Sequence, residues 1–132
     1  MMKDKSLDNF CHIRDIFSKF NENNAKYYSV NEYVTMNEQL LKSRGRCQFL
    51  QFMPNKPGKY GLKLFALCDV KTFYTLKFEP YVGTQTDGQF KTSYDTLDIV
   101  MRLYESIYGS GRNIACYNWY TSVPLAEELL KK

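Results

Sequence analysis

A polar and aromatic cluster directly follows a short apolar run near the end of the chain. The run is IAC at residues 114–116, and the cluster is YNWY at residues 117–120. Open α/β sheets tend to place ligands and catalytic groups just beyond the carboxyl end of a strand. If the apolar run is such a strand, Tyr117 is the residue that directly follows its end. Tyr117 is therefore the first candidate for a functional side chain.

Side chains that bind zinc are sparse along this sequence. The four cysteines form no CxxC pair, and the only histidine is His12. A zinc site needs about four clustered Cys or His ligands, so the sequence predicts no such site. Widely spaced cysteines are typical of a reducing compartment. We expect Cys47, Cys68 and Cys116 to be small buried apolar groups and His12 to lie at the surface.

The composition is that of one globular domain. The 132 residues are 44% hydrophobic and 16% aromatic, and a chain of this length buries roughly two-thirds of its unfolded surface. The first residues lack the apolar core of a secretory signal, and no run approaches the roughly 18 apolar residues of a membrane span. We therefore expect a soluble intracellular protein with no membrane partner and no small-molecule substrate.

The net charge of +4 is unevenly distributed. No acidic residue lies between Glu38 and Asp69, and a local patch of one sign attracts polyanions more strongly than the average charge suggests. The alternative is a solvated hairpin with cations on its open face, and the charge pattern leaves both interpretations open. The six basic residues of this interval are Lys42, Arg44, Arg46, Lys56, Lys59 and Lys63.

Hydrophobic periodicity predicts alternating helices and strands. Apolar residues recur at helical spacing over 7–20, and an Asn-rich loop follows over 21–32. This helix and loop form a lead-in over 1–30, before the first strand. Thr92 or Ser93 is expected to cap the second helix and Gly109 to end it. The predicted strands are 33–40, 60–70, 73–83 and 113–119, with a short extended piece at 47–54, turns at 54–58 and 69–72, a loop at 83–89, and helices over 92–111 and from Pro124 onward.

This order of elements predicts an α/β fold. A helix is followed by a three-stranded antiparallel meander, a crossover helix, a parallel fourth strand and a last helix. Such an order is that of the ribonuclease H-like fold, here with flanking helices, and a fold by itself says nothing about activity.

Four sequence motifs carry a resemblance to a known family. They are YVTMNEQLLKSRGRC, MPNKPGKYGLKLFALCD, YVGTQT and GSGRNIACYNWYTSVPLAEELL, in this order along the chain. From about Phe10 to the last residue, the sequence resembles the transposase domain of the piggyBac family. The resemblance implies a partial transposase domain over 1–132, truncated before the fifth strand. We then expect an unpaired edge at the fourth strand, with marginal stability or the need for a partner.

The resemblance also implies a specific chemistry. PiggyBac transposases cut and join DNA at TTAA sites with aspartates that hold two Mg²⁺ ions. The first aspartate precedes Glu in an IDE motif, where this chain has Asn37, and the second lies in CDNWFTS, where this chain has Tyr117. The third lies beyond Lys132. An amide and a phenol with a pKa of about 10 supply no anionic ligand, so we expect no catalytic residue, no cofactor and no enzymatic activity.

Neighbouring carboxylates are not expected to replace the two aspartates. Glu38 follows Asn37 on a strand and should point to the opposite face of the sheet. Asp69 lies in a predicted turn, where Asp commonly forms local hydrogen bonds. Asp95 and Asp98 lie in the first turns of a helix, where acidic groups interact favourably with the helix dipole.

The remaining family motif predicts a basic hairpin that contacts DNA phosphates. Such binding would be weak, independent of sequence and steeply dependent on salt, and it would place the protein in the nucleus. The alternatives are a solvated hairpin on a protein-interaction module, a partner of a full-length transposase chain, or a fragment with no selected function. The candidate DNA-binding residues are Arg44, Arg46, Lys56, Lys59 and Lys63.

The aromatic side chains beyond the fourth strand have two interpretations. Tyr117, Trp119 and Tyr120 could stack on bases, as aromatic residues do in proteins that bind single strands. We favour packing between the fourth strand and the helices, because these residues flank an apolar strand.

Overall fold

A computed structural model of the protein describes residues 10–83 and 92–132. Within these ranges none of the α-helices combines the length and the apolar character that a bilayer crossing requires. The elements are α1 (Arg14–Tyr27), β1 (Tyr33–Lys42), β2 (Gln51–Phe52), β3 (Tyr60–Asp69), β4 (Thr75–Pro80), α2 (Thr96–Tyr104) with a 3-10 turn (Glu105–Ile107), β5 (Asn113–Ala115) and α3 (Val123–Leu130).

The five strands form one mixed sheet with β1 and β3 at its centre. β1 pairs antiparallel with β3 on one side and parallel with β5 on the other. β4 and the short β2 both pair antiparallel with β3. The predicted α/β arrangement is therefore confirmed, with an antiparallel meander, a crossover helix and a parallel strand. Within the described ranges β5 pairs only with β1, so it forms an edge, as expected.

The main core lies on the face of the sheet that α2 and α3 cover, called here the helix face. Met36 of β1 and Leu67 of β3 face each other in the ladder and are fully buried there. Helix α2 contributes Ile99 and Leu103, and α3 contributes Leu125. Because strand side chains alternate, the odd-numbered residues of β1 lie on the other side, called here the opposite face.

Asp69 is a fully buried carboxylate at the end of β3. One of its oxygens accepts hydrogen bonds from the backbone N–H of Asn31 at 2.7 Å and from the Asn31 side chain at 2.9 Å. The other accepts from the N–H groups of Lys71 and Thr72. Burial raises the pKa of Asp69, but these donors outweigh it and lower the pKa to about 2. The expected turn role of Asp69 is confirmed, and the carboxylate also joins this turn to the start of β1.

Helix α1 lies along the outer edge of β4. The Asn21 side chain donates to the carbonyl of Phe78 at 2.8 Å and accepts from the N–H of the same residue at 2.9 Å. These two bonds satisfy the N–H and carbonyl groups of Phe78, which do not pair with β3. Asn21 therefore protects the outer edge of β4 from pairing with another strand. The Phe20 ring stacks on Phe78 at a centroid distance of 6.4 Å.

Two predicted helix boundaries are wrong. Helix α1 continues to Tyr27 instead of ending near residue 20, because Asn21 and its neighbours are held against β4 by tertiary contacts that local sequence does not encode. Asp95 caps α2 by accepting from the N–H of Leu97, and neither Thr92 nor Ser93 is the cap. Apart from Gly83, the predicted loop over 83–89 lies outside the described residues.

The apolar face predicted for the first helix does not become part of the core. Ile13, Ile16 and Phe20 are exposed, and α1 has no buried residue. The helix is instead held through its polar Asn21 and through a small aromatic cluster at its start, where the ring of Phe10 packs edge-on against Phe17.

We predict that the Asp69 carboxylate makes stability fall between about pH 4 and pH 2. Its folded pKa lies below its ordinary value of 3.8, so the stabilisation is fully present above 3.8 and disappears as the pH falls towards 2. A shift of this size corresponds to about 2 kcal/mol. Urea unfolding at stepwise pH should show this fall for the natural chain.

The Asp69→Asn variant should be less stable at pH 7 by about 2 kcal/mol or more, because an amide nitrogen would then face buried donors. It should also lack the component of the acid-induced loss that Asp69 contributes. Asp15→Asn, in the exposed first turn of α1, is the matched control. Parallel stability curves for the natural chain and Asp69→Asn would contradict the assignment.

Candidate functional site

Asn37 lies near the middle of β1, opposite Ala66 of β3, and is partly buried. Its side-chain oxygen accepts a hydrogen bond from the backbone N–H of Glu38 at 2.8 Å. The one oxygen that this amide could offer to a cation is therefore already bonded to the chain. Its neighbours on the opposite face of β1 are Thr35 and Gln39, which carry no charge.

Tyr117 lies at the same level of the sheet as Asn37. Ala115 of β5 pairs with Thr35 of β1, and Asn37 and Tyr117 each lie two residues further along their chains. The strand has ended by then, and the side chain of Tyr117 is 63% exposed. The expectation that Tyr117 packs against the helices is therefore wrong, because the backbone turns at this residue and directs its ring to solvent.

The residues at these two positions do not fit a magnesium site. Mg²⁺ prefers anionic oxygen ligands in near-octahedral geometry, whereas this pair offers an engaged amide and an exposed phenol. No group of three His, Cys, Asp or Glu side chains within 10–83 and 92–132 is arranged to hold a metal ion.

Glu38 lies on the helix face, as the strand alternation predicted. Its carboxylate lies 3.7 Å from the Nζ of Lys63, and both side chains are about one-fifth exposed. The Lys63 ammonium also lies over the rings of Trp119 at 5.0 Å and Phe65 at 5.1 Å. Of the five candidate DNA-binding cations, Lys63 is thus the one held by a carboxylate and aromatic rings.

Tyr120 and Trp119 do pack against the sheet. The side chain of Tyr120 is 2% exposed, and Trp119, which is half-exposed, stacks parallel to the Phe65 ring at 6.1 Å. The hydroxyl of Tyr120 is buried and lacks a hydrogen-bond partner within the described ranges. Burial raises the pKa of Tyr120, and the nearby carboxylate of Glu38 raises it further.

The basic hairpin is built by a compact turn between β2 and β3. The N–H of Met53 donates to the carbonyl of Lys59 at 2.7 Å, and the N–H of Lys59 donates to the carbonyl of Lys56 at 3.1 Å. Lys59 has a φ of +57°, a left-handed conformation. The backbone of Gly61 lies directly against the carbonyl of Leu41. A side chain at position 61 would therefore collide with that backbone.

The candidate cations of the hairpin differ in their surroundings. Arg44, Arg46 and Lys59 are exposed, and no carboxylate pairs with them in the described parts of the chain. Lys56 is partly buried and donates from Nζ to the backbone carbonyl of Glu38 at 3.2 Å. Lys56 therefore helps to hold the turn on β1, and the three exposed residues are the ones available to a ligand.

Two aromatic residues flank the same turn and were not singled out from the sequence. Phe52 of β2 pairs with Tyr60 of β3, and their rings stack with centroids 4.7 Å apart. Both are about half-exposed, at 56% and 51%. The signal for them is the string FMPNKPGKY, in which an aromatic residue stands on each side of a Pro-Gly turn.

The cysteines and the histidine show no functional arrangement. Cys47, Cys68 and Cys116 are each partly buried, so the expectation of buried cysteines is met only in part. Cys68 lies on the opposite face of β3, where Thr75 lies beside it at 3.5 Å. Burial raises the pKa of the Cys116 thiol. His12 is exposed, as expected.

Comparison with protein families and curated proteins gives consistent matches. A family model described as Transposase IS4 matches residues 2–132. The human PiggyBac transposable element-derived protein 3 is 24% identical, over 93% of this chain and 21% of that protein. The human Chimeric ERCC6-PGBD3 protein is also 24% identical, over 93% of this chain and 12% of that protein. The chain thus spans about a fifth or less of these relatives.

A solved structure shares the fold. In the cryo-EM structure of the piggyBac transposase synaptic complex with hairpin DNA, one chain matches with a TM-score of 0.84 and 41% identity. The match covers 96% of this chain and 26% of that chain. A likeness of this extent and identity confirms a mixed sheet with flanking helices of the ribonuclease H-like type.

We predict that Tyr120→Phe stabilises the protein, by about 1 kcal/mol, because the buried hydroxyl lies near the Glu38 carboxylate but does not reach hydrogen-bond geometry with it or with any other described group. Tyr104→Phe is the matched control, since the hydroxyl of Tyr104 donates to the carbonyl of Arg112 at 3.1 Å. That variant should lose about 1 kcal/mol. Urea unfolding at pH 7 measures both. Equal losses in the two variants would show that Tyr120 has a partner after all.

Proposed function

Because this chain belongs to the piggyBac-type Transposase IS4 family, we propose that it is a transposase-derived protein that does not cut DNA and binds DNA weakly. One observation carries the proposal: Asn37 and Tyr117 stand at the two sheet positions where the family resemblance places metal-binding aspartates. Both are neutral, and each lies two residues beyond a member of the Thr35–Ala115 pair.

The proposed loss of cleavage follows from charge. Two-metal catalysis needs anionic ligands that keep both cations next to the scissile phosphate. Glu38 does not supply them, because its carboxylate lies on the helix face with Lys63. Asp69 does not supply them either, because both of its oxygens accept hydrogen bonds in the interior.

The proposed binding follows from the exposed cations of the basic hairpin. Arg44, Arg46 and Lys59 form no ion pair with a carboxylate among the described residues. Their positive charges are therefore available to an anionic ligand at the surface. Contacts of this kind are made to phosphates, carry no sequence information and weaken steeply with salt. The related solved chain comes from a synaptic complex with hairpin DNA, and this chain covers 26% of it, which supports a nucleic-acid ligand.

A DNA partner implies that the protein acts in the nucleus. A tagged chain that stays in the cytoplasm of cells would count against this part of the proposal. Since the curated relatives are several times longer than this chain, the activities of those whole proteins are not transferred to it.

We predict that the full chain shifts a duplex oligonucleotide at low salt and loses most of the binding at moderate salt. The expected slope of log affinity against log salt is about −3, because about three exposed cations contact phosphates. A mobility-shift titration of a TTAA-containing duplex and an unrelated duplex measures it. Both duplexes should bind alike.

Charge reversal at Arg44 and Lys59, each to Glu, should abolish the shift. The matched control is Lys26→Glu with Lys131→Glu, two basic residues in the last turn of α1 and at the end of α3. No shift at low salt would remove the DNA-binding proposal. An equal effect of both double variants would remove the assignment to the basic hairpin.

We predict no strand cleavage when the chain is incubated with labelled duplex in Mg²⁺ or Mn²⁺, because the site lacks anionic ligands at Asn37 and Tyr117. A sequencing gel of the labelled strands is the measurement. Cleavage that disappears on Glu38→Gln would overturn the proposed inactivity and would identify a catalytic carboxylate. Cleavage that persists in that variant would indicate a contaminating nuclease.

A further inference from the structure

The aromatic pair of Phe52 and Tyr60 is an exposed feature that the fold itself does not explain. The two rings stack across β2 and β3 with an interplanar angle of 30°, and each remains half-exposed. Neither belongs to the core cluster. Large aromatic rings left half in water contribute little to folding, whereas exposed aromatic faces are the surfaces on which unpaired bases stack.

Two exposed cations, Arg44 and Lys59, lie next to this pair. The N–H of Ser43 donates to the carbonyl of Tyr60 at 3.3 Å, which holds Arg44 close to the ring pair. Lys59 directly precedes Tyr60. Lys42, which pairs with Gly61, lies on the helix face and is therefore not part of this surface. Neither Arg44 nor Lys59 pairs with a carboxylate in the described part of the chain.

The sheet surface next to the ring pair is also free of negative charge. The paired strand residues that share the face of Tyr60 include Asn37, Gln39 and Leu41 of β1, and no Asp or Glu lies on this face of β1, β3 or β5. Gln39 and Leu41 are exposed. A strand laid along this surface would meet cations, amides and rings but no repulsive carboxylate.

We propose that the Phe52–Tyr60 pair, with Arg44 and Lys59, is a site for an unpaired nucleic-acid strand. Bases stack on the outer faces of the two rings, and the cations contact the adjoining phosphates. This inference rests on the proposed function and specifies its ligand: a single strand binds better than a duplex, because the base faces of a duplex are already stacked on one another.

The test is fluorescence anisotropy at low salt with the full chain and three labelled probes. These are a 20-nucleotide oligothymidylate, its duplex with oligoadenylate, and a 20-nucleotide oligouridylate. The natural chain should bind both single strands about tenfold or more tightly than the duplex. Similar affinity for the two single strands would assign the site to unpaired strands in general, and preference for one would assign it to DNA or to RNA.

Two variants separate stacking from charge. Phe52→Leu with Tyr60→Leu keeps apolar side chains but removes the rings, and should weaken single-strand binding about tenfold while changing duplex binding less than twofold. Arg44→Gln with Lys59→Gln should weaken both. Phe73→Leu, at an exposed aromatic residue after the β3–β4 turn, is the matched control and should change neither.

Photocrosslinking of the natural chain to a single strand tests the site without any variant, so it still applies if the ring variants do not fold. A strand that carries 5-iodouracil, irradiated with the natural chain, should crosslink within the peptide that contains Phe52 and Tyr60. A crosslink at Trp119 or Tyr117 instead would overturn the site. Duplex binding with no preference for single strands would overturn this inference alone. No binding of any probe would overturn the proposed function together with it.

Discussion

Strand β1 is the element on which the rest of the structure depends. It pairs with β3 from Val34 opposite Asp69 to Lys42 opposite Gly61, and with β5 on its other side. Side chains alternate along a strand, so this register fixes which face each residue occupies. A slip by one residue would move the fully buried Met36 out of the core. The cost of exposing that row of apolar side chains keeps Glu38 on the helix face and Asn37 on the opposite face.

This fixed register explains how one electrostatic feature bears on both the proposed absence of cleavage and the proposed binding. Carboxylates at the positions of Asn37 and Tyr117 would attract cations and, without them, repel phosphates. Two unit charges 4 Å apart interact by about 1 kcal/mol in water and about 4 kcal/mol near a protein surface. Neutral residues at these two positions remove both the attraction for metal ions and the repulsion of phosphates. Arg44 and Lys59 can then contact a nucleic acid without a metal ion that bridges the protein and the phosphates.

The sequence was sufficient for features that are encoded locally. Period-two patterns and the Pro-Gly turn placed β3 and β4, and Pro124 marked the start of α3, where Ser122 also caps the helix. Features that depend on distant partners could not be predicted. The end of α1 depends on a bond between Asn21 and Phe78, which is remote in sequence. The surroundings of Lys63 depend on Trp119, which only the folded chain brings near.

The three aromatic residues beyond β5 show how the turn after this strand keeps its shape independently of the side chain at position 117. The carbonyl of Tyr117 accepts from the N–H groups of Tyr120 and Thr121 and from the Thr121 hydroxyl at 2.9 Å. These bonds shape the turn with backbone atoms and Thr121, so the side chain at position 117 takes no part in it. The turn directs Tyr120 into the core and Trp119 onto Phe65. Substitution at Tyr120 therefore changes the stability of the core, whereas position 117 can carry side chains of different size and charge without a packing cost.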